Sequence, residues 1–104
     1  MRMLLTVEFP HERFNTLVRS GEVGQLMGRI LEEIKAEAAY FTEDNGKRCG
    51  IFVIDVQHPA EIPRFAEPFF LNFAADCKFR IAMRPEDLQE AGLEELGKKW
   101  GRTE

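Results

Sequence analysis

"AAYFTEDNGKRCGIFVIDV", residues 38–56, decides the fold. At its centre Asn45-Gly46 stands between two β-rich runs. This dipeptide favours the two-residue type I′ hairpin turn, because both central residues must take positive φ. The stretch therefore predicts two antiparallel strands, roughly 38–43 paired with 48–56. A central hairpin makes the elements on either side of it the next question.

Upstream, "RMLLTVEF" (residues 2–9) alternates Met3, Leu5, Val7 and Phe9 against Arg2, Leu4, Thr6 and Glu8. A period of two marks a strand with one dry face. Pro10 ends it, since proline cannot donate to a ladder and is well placed to open a helix. Residues 11–20 read as a short helix with Phe14, Leu17 and Val18 inward, interrupted at Ser20-Gly21. From Val23 onward Leu26, Met27, Ile30, Leu31 and Ile34 follow the spacing of an amphipathic helix. Gly24 and Gly28 each weaken it by about 1 kcal/mol relative to alanine. Close backbone packing would explain both.

Downstream, "IPRFAEPFFLNF" (residues 62–73) places Ile62, Phe65, Ala66, Phe69, Phe70 and Phe73 at helical spacing. Strand alternation fits worse, because Phe69, Phe70 and Leu71 are consecutive. The spacing predicts a helix over about 61–74. Pro68 falls inside it, where proline removes one hydrogen bond and clashes with the carbonyl of Arg64. A break or bend is expected there. "DCKFRIAM" (76–83) alternates again and predicts a fourth strand. "RPEDLQEAGLEELGKKW" (84–100) opens with Pro85 and two acids, a favourable helix start. Its apolar stripe of Leu88, Gly92, Leu96 and Trp100 is narrow, so this helix is expected to lie on a second subunit.

The chain has 104 residues, 44% hydrophobic and 31% charged, with a net charge of −4. That is the composition of a folded domain, and the length suits a single domain spanning 1–104. Binding to nucleic acid rests on many Lys and Arg contacts to phosphate. Here Lys47-Arg48 and Lys98-Lys99 are the only adjacent basic pairs, so no nucleic-acid partner is expected. No apolar run approaches the ~18 residues of a membrane helix, and no membrane partner is expected either. The N-terminus does not read as a signal peptide. Cys49 and Cys77 have no metal-ligand spacing. A cytoplasmic protein with reduced thiols, and with no metal or cofactor, is the expectation.

The element order β-α-β-β-α-β plus a terminal helix predicts an α+β, ferredoxin-like fold. It implies an antiparallel four-stranded sheet in the order 4-1-3-2, both helices on one face, and a bare opposite face. The order, the size and the helical tail resemble the dimeric α/β-barrel superfamily, in which two such sheets face each other. That superfamily includes cofactor-free monooxygenases and muconolactone isomerase. "AAYFTEDNGKR" and "IPRFAEPFFLNF" also resemble a group of short bacterial proteins without assigned activity. The resemblance implies a homodimer through the open sheet face and the C-terminal helix. It carries no catalytic motif, and fold does not imply function.

Strand parity sketches the open face. If Met3, Leu5, Val7 and Phe9 meet the helices, then Arg2, Leu4, Thr6 and Glu8 look outward. So do Ile51, Val53 and Asp55, together with Lys78, Arg80 and Ala82, and the hairpin adds Tyr40 and Thr42. This face is either a polar pocket inside a dimer or a set of cross-strand ion pairs, Glu8 with Lys78 or Arg80 and Arg2 with Asp55. Cys77 falls on the dry face, while Cys49 would look outward with no base beside it. His11 and His58 adjoin strand exits at opposite ends of the sheet, so one subunit cannot unite them in a metal site.

His11, Tyr40 and Asp55 are the weak catalytic candidates. Phe65, Phe69, Phe70, Phe73 and Phe14 are the candidate walls of an apolar ligand cleft, against the plainer reading of core packing. Three functions stand: a homodimer binding a small apolar or aromatic molecule, a cofactor-free isomerase or monooxygenase, and a structural or protein-interaction module. Whether the chain is an enzyme is not legible. A filled core would favour the module, and a carbon-lined cavity the ligand.

Overall fold

The hairpin forms at Asn45-Gly46, where φ is 54° and 78°. It joins β2 (Ala38–Asp44) to β3 (Lys47–Asp55). With β1 (Arg2–Phe9) and β4 (Asp76–Ile81) they make one open, all-antiparallel sheet in the order β2-β3-β1-β4. Counted from the β4 edge, the same neighbours read 4-1-3-2. The structure is a computed structural model and describes residues 1–101. Among these residues no helix is long and apolar enough to cross a membrane.

Three helices cover one face of the sheet: α1 (His11–Ser20), α2 (Val23–Ile34) and α3 (Ile62–Phe73). A one-turn 3-10 helix, Pro59–Glu61, leads into α3. The helices bury Leu17, Ile30, Ile34, Phe65, Phe69 and Phe73 against Leu5, Val7, Phe9, Phe52 and Ile54 of the sheet. The chain is thus an α+β protein built in two layers. The parity inferred for β1 and β3 holds in their centres: Leu5, Val7 and Phe9 of β1 and Phe52 and Ile54 of β3 are buried toward the helices.

Aromatic rings carry much of this core. Phe9 meets Phe14, Phe69 and Phe73 edge-on at 5.2, 6.0 and 4.9 Å, and Phe52 stacks on Phe69 at 5.4 Å. Such pairs add ~0.5–1.5 kcal/mol each beyond the area they bury. Gly50 makes room for them. A Cβ there would lie 2.7 Å from the Phe52 ring.

Several expectations need correction. The break expected at Pro68 does not occur, and Ile62–Phe73 is one continuous helix. Phe65, Phe69 and Phe73 anchor its inner face on both sides of the proline. Arg64, whose carbonyl faces Pro68, is exposed, so water can supply the missing donor. Nor is the terminal segment one helix. It divides into α4 (Pro85–Glu90) and α5 (Leu93–Trp100) at Gly92, whose φ of 69° is a left-handed turn. The fourth strand ends at Ile81, so Met83 stands outside it.

Gly24 and Gly28 do not mark close packing, because a Cβ at either would meet nothing within 4 Å. Alanine there gains helix propensity with no clash. Gly24→Ala and Gly28→Ala should each raise stability by up to about 1 kcal/mol. Urea denaturation checks this, and a loss at either position would mean that α2 packs against something in solution.

The α4–α5 segment stands apart from the two layers. None of its residues is buried, and none joins the core. The molecule measures 63 × 29 × 20 Å, with a radius of gyration of 18.0 Å. A compact chain of about 100 residues has roughly 13 Å. The excess comes from this projecting arm.

Candidate functional site

The open face of the sheet is the first candidate, and the strand register lays it out row by row. Thr42, Cys49, Glu8 and Asp76 form one row; Tyr40, Ile51, Thr6 and Lys78 the next; Ala38, Val53, Leu4 and Arg80 the third. Arg2 and Asp55 pair in register at the end of the sheet. A shallow cleft of about 150 Å³ lies among Thr6, Glu8, Asp44, Asp76 and Lys78. Among the described residues, no group of three or more His, Cys, Asp or Glu side chains is placed to hold a metal ion.

The ion pairs differ from the cross-strand set expected. Arg2 grips Glu37 with two hydrogen bonds of 2.8 Å, donated by Nε and Nη2. Glu8 pairs with Lys47 at 3.5 Å. Asp55 accepts from the N-terminal ammonium at 3.1 Å and from Gln57 Nε2 at 2.6 Å. Each of these lies beyond the register that parity alone supplies: a loop residue, a hairpin residue, a chain end. Lys78 and Arg80 have no carboxylate partner among the described residues.

The three catalytic candidates are not brought together. His11 opens α1 beyond the Phe9 end of β1, while Asp55 pairs with Arg2 at the other end. The strand between them is roughly 23 Å long. Tyr40 lies on edge strand β2, 67% exposed. The ammonium of Met1 holds the Asp55 carboxyl below its usual range. It is therefore a spent acceptor, not a proton donor.

The phenylalanine helix fills space. Phe65, Phe69 and Phe73 are buried, Phe14 packs against them, and Phe70 turns out to solvent. None of the five lines any of the clefts described here. Apolar, unfilled space lies elsewhere, in a cleft of about 220 Å³ among Met1, Met3, Val56, His58, Ile62 and Ile81. A larger open groove of about 500 Å³ runs between α2 and α3, past Arg29, Arg64 and Pro68.

Both thiols are poor nucleophiles. Cys49 was expected to look outward, but it is only 3% exposed. Its row neighbours Thr42 and Glu8 flank it on both sides. Burial, then the charges of Asp44 and Glu8, push its thiol up. Burial pushes Cys77 up to about 11. Both should stay protonated at neutral pH and react with a disulfide reagent far more slowly than an exposed cysteine, until the chain is unfolded. Rapid labelling of the native protein would contradict this placement.

Two residues gained importance only in the structure. Arg48 pairs with Phe9 in register and lays its guanidinium 4.3 Å over the Phe14 ring. Its Nη1 is buried without a hydrogen-bond partner among the described residues. Parity places Arg48 on the helix face, and that was the signal available. Gly50 is the other; nothing in the sequence tells its slot from an ordinary glycine. No family model, curated protein or solved structure matches this chain.

Proposed function

We propose that this chain is a homodimeric interaction module of ferredoxin-like, dimeric α/β-barrel type. It self-associates through its open sheet face and its C-terminal helices. The observation that carries this reading is the pairing of a filled core with an unburied apolar arm. Leu88, Leu93, Leu96 and Trp100 are all exposed on α4 and α5, and Trp100 is 74% exposed. Monomers rarely leave a contiguous apolar patch of this kind uncovered. Light scattering tests the reading: the mass should be about twice 12.0 kDa, and a monomer at micromolar concentration would sink it.

A second reading has one observation of its own. The cleft among Met1, Met3, Val56, Ile62 and Ile81 is walled almost wholly by carbon, with His58 at its rim. At about 220 Å³ it suits a single small ring. A thermal-shift screen with small aromatic compounds should find a stabilising ligand, and Met3→Arg should abolish the shift. No shift across such a screen removes this reading.

A further inference from the structure

Large apolar side chains are exposed on the arm that follows β4, one edge strand of the sheet, and on β2, the other edge strand. On the arm they are Leu88, Leu93, Leu96 and Trp100. On the β2 edge lie Tyr40 and Phe41, 67% and 54% exposed. They belong to an edge strand whose outer N–H and C=O groups have no partner strand among the described residues. Unprotected edges of this kind invite pairing. Their charges complement one another. Strand β2 ends in Glu43-Asp44, and α5 ends in Lys98-Lys99, next to Trp100. The pairing of Lys98 with Glu95 at 3.6 Å is fully on the surface, so it does little to hold Lys98 in place. The two edges are three strand spacings apart, about 14 Å, with β3 and β1 between them.

We infer that the surface receiving the α4–α5 arm is the β2 edge of a second copy of this chain, so that two copies exchange arms. Leu96 and Trp100 straddle the edge strand of the other copy, against Tyr40 on its open face and Phe41 on its helix face, and Lys98 and Lys99 meet Glu43 and Asp44. A two-fold arrangement makes this contact twice and leaves neither patch bare. The inference rests on the self-association proposed above, and goes beyond it by naming where the arm lands. It accounts for Phe41, which lies on the helix side of the sheet and which contact between open faces would leave uncovered.

The chain carries its own reporters. Tyr40 is its only tyrosine and Trp100 its only tryptophan. Energy transfer from Tyr40 to Trp100 should grow with concentration, in step with the mass from light scattering. Leu96→Glu and Tyr40→Glu should each yield a folded monomer, since neither side chain belongs to the core. Unchanged circular dichroism and melting would confirm the fold of each variant.

Mixing the two variants should restore part of the doubled mass, because the intact arm of one meets the intact edge of the other. Lys98→Glu with Lys99→Glu should weaken association about tenfold, and Glu43→Lys with Asp44→Lys should restore it. A wild-type chain that stays at 12.0 kDa overturns self-association and this inference together. A wild-type dimer that persists in Leu96→Glu or Tyr40→Glu, or two monomeric variants that do not complement on mixing, overturns the arm-to-edge contact alone. Either result leaves the dimer itself standing.

Discussion

Gly50→Ala will destabilise this protein by about 2 kcal/mol, and Gly50→Val by more. Two effects oppose each other. Replacing a strand glycine with alanine normally gains about 0.5–1 kcal/mol by restricting the unfolded chain. Here the new Cβ would lie 2.7 Å from one carbon of the Phe52 ring and 2.8 Å from another. That ring has little freedom to withdraw, since it is fully buried between Phe41 at 5.7 Å and Phe69 at 5.4 Å. Overpacking in a filled core costs about 1–3 kcal/mol, and a rigid ring sets it at the upper end. The clash wins. A melting temperature lowered by on the order of 10 °C is expected for a domain of this length. The double variant Gly50→Ala, Phe52→Leu should lose less than the two single losses combined, because the smaller side chain frees the slot. A neutral or stabilising Gly50→Ala would show that Phe52 does not occupy that slot.

Phe69→Ala will do more damage. The ring is fully buried and touches both Phe9 and Phe52. Truncating a buried phenylalanine costs about 3–5 kcal/mol, which combines lost transfer energy with the cavity left behind. Small domains hold only about 5–15 kcal/mol in all, so the variant should stand near the edge of unfolding at 25 °C. The vacated space is lined by aromatic and aliphatic carbon and should stay dry, as apolar cavities do. Benzene should therefore raise the melting temperature of Phe69→Ala by more than any shift it gives the wild type. Phe70→Ala is the control next door. Phe70 points outward, 42% exposed, and its loss should cost under about 1 kcal/mol. Equal losses at 69 and 70 would mean that α3 is rotated from the position described.

The sequence carried the architecture because local rules and the global fold agree along most of the chain. Asn45-Gly46 specified the hairpin, and alternation in residues 2–9 gave the buried set Leu5, Val7 and Phe9. Helical spacing placed Phe65, Phe69 and Phe73 on one face. The misreadings share a cause: each depended on what surrounds a residue. Pro68 is tolerated because its helix is anchored on both sides and its orphaned carbonyl lies toward water. Gly24 and Gly28 resemble packing glycines, but no neighbour approaches them. Arg2 found Glu37 and not Asp55, because a loop residue lay in reach that strand parity does not include. Cys49 has outward parity, yet it is buried between its row neighbours Thr42 and Glu8. Of the candidate site residues, His11, Tyr40 and Asp55 lie apart, at strand ends and on an edge strand. Their separation follows from the antiparallel run of β1 and β3.

The central place of β1 has a consequence for how the protein is made. The strand leaves the ribosome before both of its neighbours in the sheet. The β3 partner begins at Lys47, and the β4 partner ends at Ile81. Roughly 70 residues separate Phe9 from Ile81, and synthesis runs at about 5–20 residues per second. For several seconds Met3, Leu4, Leu5, Val7 and Phe9 have no completed sheet to join. In that interval the chain depends on α1 and α2, which can form locally, to shield its most apolar strand.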